Sequence, residues 1–365
     1  MAPKIGFIGC GGIANQKHFP GMRQEAVEMV AFCDIVKERA EKGAKEFGVS
    51  GAKVYTDYKE LLKDPSIDAV HVLTPNVSHC EITVAALEAG KHVLCEKPMA
   101  ATTSDAEKML AARNKTGKML TIGYQYRHSH ENAIMKKLVD DGWLGDIYYA
   151  EAIYLRRRGV PTWGVFMDKA QQGGGPLIDI GTHALDLALY FMNNYEVDYV
   201  VGTSFEKLGK LLDGQDMQGQ VGFRGNPDPW NAKTYEVEDS AFGHIKMKNG
   251  AVINLKASWA INIVSRGMSP TLLAGTKGGA DTFDGVRLNH VVAGQQAITT
   301  VGEKIPMFIP GFSSGPPQPS KEAQIWVKAL KGEGDLFVTA DQAFVVTKIL
   351  DSIYQSSQTG KAVHF

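Results

Sequence analysis

The run Lys4 to Ile8, passing into Gly9-Cys10-Gly11-Gly12-Ile13-Ala14, is the stretch that leaves this chain the fewest ways to fold. An apolar strand-like segment leads into G-x-G-x-x-A and then into a helix-compatible segment. Gly9 suits a tight turn, Gly11 leaves room for a pyrophosphate against the backbone, and Ala14 lets a helix pack closely on the strand. Gly12 and Ile13 complete the loop, and the unpaired N–H groups at the helix start favour an anion. Taken alone, such a glycine motif is also simply a tight turn. The next apolar run, Val27 to Cys33, ends in Asp34, at about the 20-residue distance of an acid that pairs with a ribose 2'-hydroxyl. The sequence therefore predicts a dinucleotide site that takes NAD, with NADP disfavoured because Asp34 repels a 2'-phosphate. Lys37 and Arg39 pull the other way, since either reaches far enough to meet a phosphate.

A strand-helix rhythm continues through the first third of the chain. Asp57 with Glu60 reads as a helix cap, Ile67 to Leu73 as a buried strand, Ser104 with Glu107 as a second cap, and Met119 to Gly123 as a strand. Residues 1–123 are thus predicted to form an α/β Rossmann domain with a doubly wound parallel sheet. Ligands of such sheets bind beyond the carboxyl ends of the strands. Two loops there carry chemistry: Thr74-Pro75-Asn76, followed by His79, and Cys95-Glu96-Lys97-Pro98.

From Tyr124 the rhythm stops. Ile147 to Leu155 alternates like a strand, and Glu238 to Met247, Asn249-Gly250 and Ala251 to Trp259 read as a hairpin. Residues 124–365 are predicted to form an α+β domain with a large, mainly antiparallel open sheet. Its last helix, about 340–358, opens on a Thr339 and Gln342 capping box. The Gly-rich, polar stretch Phe205 to Tyr235, with Trp230 near its end, is long for a loop and reads as a site cover or a subunit contact.

Composition excludes several functions. A length of 365 residues fits two domains, and 39 basic against 40 acidic residues give a net charge of −1, without the electrostatic footprint of a nucleic-acid or anionic-membrane binder. No stretch approaches the ~18 apolar residues of a membrane span, and no leader precedes the first strand, so the expectation is a cytoplasmic protein acting on a small molecule. The four cysteines read as buried thiols.

The second chemical stretch is Gly173 to Tyr190. Pro176 suits a first helical turn, and Ile180, Ala184, Leu187, Ala188 and Phe191 recur at helical spacing. Asp179, His183 and Asp186 fall at i, i+4 and i+7, which places them on one face, rotated from the apolar stripe. Gly181 between them reads as a point where a ligand approaches the backbone, since a mid-helix Gly costs roughly 1 kcal/mol against Ala. A solvated polar face and a divalent-metal chelate are the alternatives; with no further metal-type ligand evident, no metal requirement is expected. A third stretch, Arg156 to Trp163, puts Arg156 and Arg158 on one side of an extended chain with Trp163 beyond. Sugar-hydroxyl or carboxylate recognition with the indole stacked on a pyranose is one reading, and a salt-bridged turn with an interfacial Trp is the other.

The segments GFIGCGGIA at 6–14, TPNVSH at 74–79, CEKP at 95–98 and DIGTHALD at 179–186 together resemble the Gfo/Idh/MocA family of nicotinamide-dependent sugar and polyol oxidoreductases. The resemblance implies that Lys97, Asp179 and His183 are catalytic, that Asn76, His79 and Glu96 line the cofactor, and that the Lys97-Pro98 peptide is cis. It also implies a homo-oligomer assembled through the open sheet face of the second domain. The expected cofactor contacts are then Gly9, Gly11, Gly12, Ile13, Ala14, Asp34, Arg39, Thr74, Asn76, His79, Glu96 and Lys97. The expected substrate contacts are Lys97, Arg127, Tyr154, Arg156, Arg158, Trp163, Asp179 and His183. The implied activity is NAD-dependent oxidation of a secondary ring hydroxyl of a cyclic sugar, glycoside or inositol, with His183 as base. Two alternatives stand beside it: a redox-neutral NAD enzyme that modifies glycosides, and a non-catalytic ligand sensor, which would have no need of a base and a cation.

Overall fold

The computed structural model describes residues 1–211, 235–264, 270–302 and 320–365. Two compact units result: Met1–Gln125 with Met307–Phe344, and Tyr126–Pro306 with Val345–Phe365.

In the first unit six strands lie in the order Lys53–Tyr55, Glu28–Cys33, Lys4–Ile8, Ala69–Val72, His92–Cys95, Leu120–Ile122. Every neighbouring pair is parallel. The order runs outward in both directions from Lys4–Ile8, so the topological switch point lies between this strand and Ala69–Val72, where a doubly wound sheet opens a crevice. Gly9 marks the place: its φ is +95°, and a Cβ there would lie 2.5 Å from the Leu73 carbonyl oxygen. Phe7, Phe19 and Phe32 form the core, with Phe7 edge-on to Phe19 (centroids 5.0 Å apart) and stacked on Phe32 (5.4 Å).

That core is completed by a helix from far along the chain. Lys321–Leu330 places Ala323, Trp326 and Val327 in the same apolar cluster. The sequence assigns all of 124–365 to the second domain, whereas part of it belongs with the parallel sheet. The reason is that the periodicity of an amphipathic helix says which face is buried, not what buries it. One cap also moves: Thr102, not Ser104, caps Thr103–Thr116 by accepting from Asp105 N. Asp57 caps as expected, accepting from Lys59 N.

The second unit holds nine strands in the order Gln295–Val301, Val286–Val292, Gly279–Asp281, Thr271–Gly275, Ile147–Leu155, Val252–Ser258, Ser240–Met247, Val197–Phe205, Val363–His364. One pair, Ile147–Leu155 with Val252–Ser258, is parallel and the rest are antiparallel. The Asn249-Gly250 hairpin forms with Gly250 at φ +92°. The C-terminal helix Ala340–Thr359, capped by Thr339, presses Ile353 into a notch where Gly202 and Gly243 have no side chain. On the opposite face Tyr149, Glu151, Asn254 and Lys256 form a partly exposed hydrogen-bonded row, with Lys256 paired to Glu151 at 2.9 Å.

Thr182–Met192 lies against Ile147–Leu155, Val252–Ser258 and Thr271–Gly275. A Cβ on Gly181, just before it, would meet Ala257 Cβ at 3.0 Å. Gly181 is therefore a packing glycine that lets the helix touch the sheet, and not the point of ligand approach that its position in the sequence suggests. No described helix is long and apolar enough to cross a membrane.

Candidate functional site

In the first unit the loop after the first strand is built to leave its outer surface clear. Ala14 is fully buried under a π-helical turn, Ala14–His18. Asn15 folds back so that its Nδ2 donates to the Cys10 and Gly11 carbonyl oxygens at 2.9 and 2.8 Å. Nothing lies within 4 Å of where a Cβ on Gly11 or Gly12 would sit. An open, N–H-bearing loop at the switch point fits the pyrophosphate of a dinucleotide. Asp34, at the end of the second strand, accepts from Cys10 N at 2.8 Å and Val36 N at 2.9 Å. Lys37 pairs with Glu41 at 3.1 Å, while Arg39 lies in the first turn of the helix Lys37–Phe47.

The two strand-end loops are fastened together. His79, 1% exposed, sets Nδ1 at 2.8 Å from the Pro98 carbonyl oxygen and Nε2 at 2.9 Å from that of Thr74. The ring thus clamps the two loops from inside. Thr74 Oγ1 accepts from Ser78 Oγ, and Lys97-Pro98 is cis. Asn76 and Lys97 are both half-buried.

Below Lys97 lies a charged cluster that sequence reasoning missed. Glu96 Oε1 accepts from Lys17 Nζ at 2.7 Å and faces His18 Nε2 at 2.8 Å, and Glu96 Oε2 accepts from Lys97 N at 3.1 Å. Lys17 also pairs with Glu322 at 2.8 Å, so one buried ammonium joins the turn Ala14–His18, the Lys97 loop and the late helix of the first unit. Burial opposes the charge on Lys17, but Glu322 and Glu96 outweigh it and its pKa is raised. Burial likewise opposes ionisation of Glu96, and Lys17 with His18 holds it well below the carboxylate range. Glu96 therefore anchors Lys97 from beneath, and its carboxylate fits where a side chain on Gly123 would otherwise press, 3.1 Å from Oε1.

His18 Nδ1 in turn faces His71 Nδ1, 3.1 Å away. Burial first, and then His18 and Lys17, hold His71 well below the usual imidazole range, while Glu96 pulls weakly upward. Below about pH 6.5 the unfolded chain then binds a proton that folded His71 does not, and stability falls with pH in that window. The stability advantage of wild type over His71→Asn, measured by urea unfolding, should shrink between pH 7.5 and pH 5. An advantage that stays constant or grows on acidification would contradict the neutral buried ring.

In the second unit Pro176 leads into a π-helical turn, Leu177–Gly181, which continues as the helix Thr182–Met192. Asp179, half-buried, accepts from the Trp259 indole N–H through Oδ2 at 3.1 Å. His183, 5% exposed, stacks on Tyr126 with centroids 4.3 Å apart and planes at 21°. Tyr126 and Tyr154 join hydroxyls at 3.2 Å, and Arg156 lies over the Tyr154 ring at 5.2 Å while donating to the Gly159 carbonyl oxygen. Arg158 donates instead to Asn262 Oδ1 and the Arg157 carbonyl oxygen. Trp163 meets Phe166 edge-on at 6.0 Å, and Phe166 meets Trp259 at 6.3 Å. Aromatic contacts therefore run from Trp163 to the residue that holds Asp179.

Two sequence assignments change. Asp186 does not join Asp179 and His183: it is 1% exposed and accepts from Arg127 Nε at 2.9 Å and Arg127 Nη2 at 2.5 Å. Arg127, also 1% exposed, spreads over the Tyr190 ring and donates to Tyr195 Oη, so it is an internal counter-ion in place of the expected substrate contact. Among the described residues no group of three or more His, Cys, Asp or Glu is placed to hold a metal. Tyr126 and Trp259 carried little signal of their own. A period-two reading of the strand before Trp259 does put it on the same face as Ala257, which packs on the helix start.

Residues 3–124 match the GFO_IDH_MocA model, described as an oxidoreductase family with an NAD-binding Rossmann fold, and residues 133–281 match the GFO/IDH/MocA C-terminal domain. D-glucoside 3-dehydrogenase of Escherichia coli is 34% identical over 361 residues, 99% of this chain and 97% of its own. Levoglucosan dehydrogenase of Pseudarthrobacter phenanthrenivorans is 31% identical over 227 residues, 60% of this chain and 56% of its own. Among solved structures, an oxidoreductase domain protein from Kribbella flavida superposes with a TM-score of 0.81 at 24% identity, covering 100% of this chain and 99% of its own. A levoglucosan dehydrogenase in complex with NADH and levoglucosan does so with 0.79 at 24% over the same shares. With both family models matched in order and a relative spanning nearly the whole chain, the protein belongs to the GFO/IDH/MocA oxidoreductase family.

Proposed function

We propose that this oxidoreductase oxidises a secondary ring hydroxyl of a pyranose, most readily a glucoside, with NAD as the hydride acceptor. The observation that carries the proposal is the likeness, over 99% of the chain, to a D-glucoside 3-dehydrogenase. Bound NAD supplies hydride acceptance at the nicotinamide ring. The protein's own residues handle the proton and the charge. A sugar hydroxyl is a very weak acid, so its proton needs a positioned base and its oxygen a nearby cation. His183, held flat against Tyr126, takes the proton. Asp179, fixed by the Trp259 indole, orients the imidazole or holds a neighbouring hydroxyl. Lys97, anchored through its main-chain N–H on Glu96, stabilises the developing alkoxide. Tyr154, Arg156, Arg158 and Trp163 contribute donors and an aromatic plate to the sugar. Because Asp186 is taken by Arg127, it is not available beside Asp179 and His183 as a third metal ligand.

NAD is proposed over NADP on the strength of Asp34, whose carboxylate stands at the end of the second strand. A like charge brought against it costs several kcal/mol, so NAD should bind at least about tenfold tighter. Asp34→Ala should narrow that gap from the NADP side, and a lower Kd for NADP in the wild type would assign the ribose site to Lys37 or Arg39. Self-association through the sheet face that carries Tyr149, Glu151, Asn254 and Lys256 belongs to the same proposal, and light scattering checks it.

The reading is tested by following NADH absorbance with NAD and a panel of glucopyranosides, free aldoses, inositols and linear polyols. Turnover on pyranosides supports it, and activity confined to linear polyols or small hydroxy acids overturns it. Ligand binding without turnover would favour the sensor.

A further inference from the structure

Glu238 has no place in the chemistry above, yet it is 6% exposed and bonded on all sides. Its Oε2 accepts from Gly175 N at 2.9 Å, and its Oε1 accepts from Leu177 N at 3.1 Å and Tyr354 Oη at 2.7 Å. These donors belong to the turn that enters the Asp179 helix, two to four residues before Asp179, and to the C-terminal helix. The glycines make the approach possible: a Cβ on Gly175 would lie 2.3 Å from the Glu238 carbonyl oxygen, and one on Gly174 would lie 2.1 Å from Tyr354 Oη.

The next residue grips the other partner of Asp179. The Asp239 carbonyl oxygen accepts from Trp259 N at 3.0 Å and from Ser258 Oγ at 3.1 Å. Its Oδ2 gathers the backbone N–H groups of Lys207, Leu208 and Gly209 at 2.5, 2.6 and 3.0 Å. Adjacent residues on one strand entry therefore fix the helix start that bears Asp179 and the backbone of Trp259, whose indole meets Asp179 Oδ2 at 3.1 Å.

We propose that Glu238 is a positioning residue: it sets the entry turn of the helix so that Asp179 meets the Trp259 indole and stands correctly for its part in the reaction. It touches neither sugar nor cofactor. Its buried carboxylate takes the two orphan amides of a turn that a three-glycine run leaves without intrinsic rigidity. Asp239 holds the opposing strand still, so displacement of the turn moves Asp179 relative to a fixed indole. The catalytic consequence rests on the role proposed for Asp179 above; the geometric consequence does not.

The test uses Glu238→Gln and Tyr354→Phe in the full-length chain. Glu238→Gln is isosteric but turns an NH₂ toward one of the two amides, and Tyr354→Phe removes one donor of three. The first readout is the indole N–H resonance of Trp259 in 15N-tryptophan-labelled protein, assigned with Trp259→Phe. The second is kcat and KM on a methyl glucopyranoside with NAD. The third is the Kd for NAD. A misplacement of about 1 Å can cost up to ~10²-fold in rate. Expected are a displaced Trp259 resonance in both variants and a kcat lowered by roughly 10-fold or more in Glu238→Gln and less in Tyr354→Phe. The Kd for NAD should stay unchanged. An unmoved resonance with unchanged kcat overturns the proposal, as does a loss of kcat that tracks thermal stability alone with the resonance in place. If Glu238→Gln fails to fold, Tyr354→Phe decides by the same readouts. If wild type shows no sugar oxidation, the functional reading has failed, and the resonance still decides the positioning.

Discussion

Lys97→Ala and His183→Ala should each lower kcat on a pyranoside by ~10²-fold or more while leaving the fold intact, because each removes a group that acts mainly in the transition state. The structure separates these losses from collapse. Lys97 is half-buried, and the charged cluster beneath it holds the loop through the Lys97 main-chain N–H, which alanine keeps. His183→Ala removes the stack on Tyr126, worth about 0.5–1.5 kcal/mol, which a unit of this size tolerates. KM should change less than kcat in both variants. Near-normal turnover in either would remove that residue from the mechanism, and circular dichroism confirms that the comparison is between folded proteins.

The second large effect is on stability. Arg127→Ala leaves the Asp186 carboxylate with its bidentate partner gone at a position 1% exposed. Breaking a buried pair from one side costs about 3–5 kcal/mol, because the remaining charge has neither water nor a counter-ion. Burial already pushes the Asp186 carboxyl above its ordinary range even with Arg127 beside it. In a unit of this size each kcal/mol lowers Tm by roughly 2–4 °C, so a drop on the order of 6–20 °C is expected. Arg127→Met combined with Asp186→Leu should recover much of it, since a pair replaced by apolar groups of similar volume is often neutral. A raised KM with unchanged Tm would instead restore Arg127 to the substrate contacts.

Those two residues mark where sequence legibility ends. Period and spacing carried the local elements: Gly9 to Ala14 turned where expected, Ile147–Leu155 came out end to end, and Asn249-Gly250 made its hairpin. In each case the signal lies within about ten residues of the structure it specifies. Asp186 shares the spacing of Asp179 and His183, but its partner lies 59 residues away, and no local pattern announces a buried ion pair. Gly181 was visible as a cost without its reason, Ala257, being visible. The Lys17–Glu96–Glu322 cluster needs three distant segments at once, and the helix 321–330 shows an apolar face without naming the sheet it covers. Residues 212–234, most of the stretch from Phe205 to Tyr235 and including Trp230, lie outside the described residues; within that stretch Asp239 holds the backbone of 207–209.

Transfer of a labelled hydride distinguishes ring-hydroxyl oxidation from every other activity of this site. A methyl glucopyranoside carrying deuterium on a single ring carbon, varied from C2 to C4, is incubated with wild-type protein and NAD, and the recovered cofactor is examined by mass and NMR. Expected is one deuterium at C4 of the reduced nicotinamide from a single non-anomeric position, together with the matching ketone and loss of the signal in His183→Ala. Reduced cofactor without label from any of these ring carbons, or conversion of the sugar with no reduced cofactor formed, would contradict ring-hydroxyl oxidation.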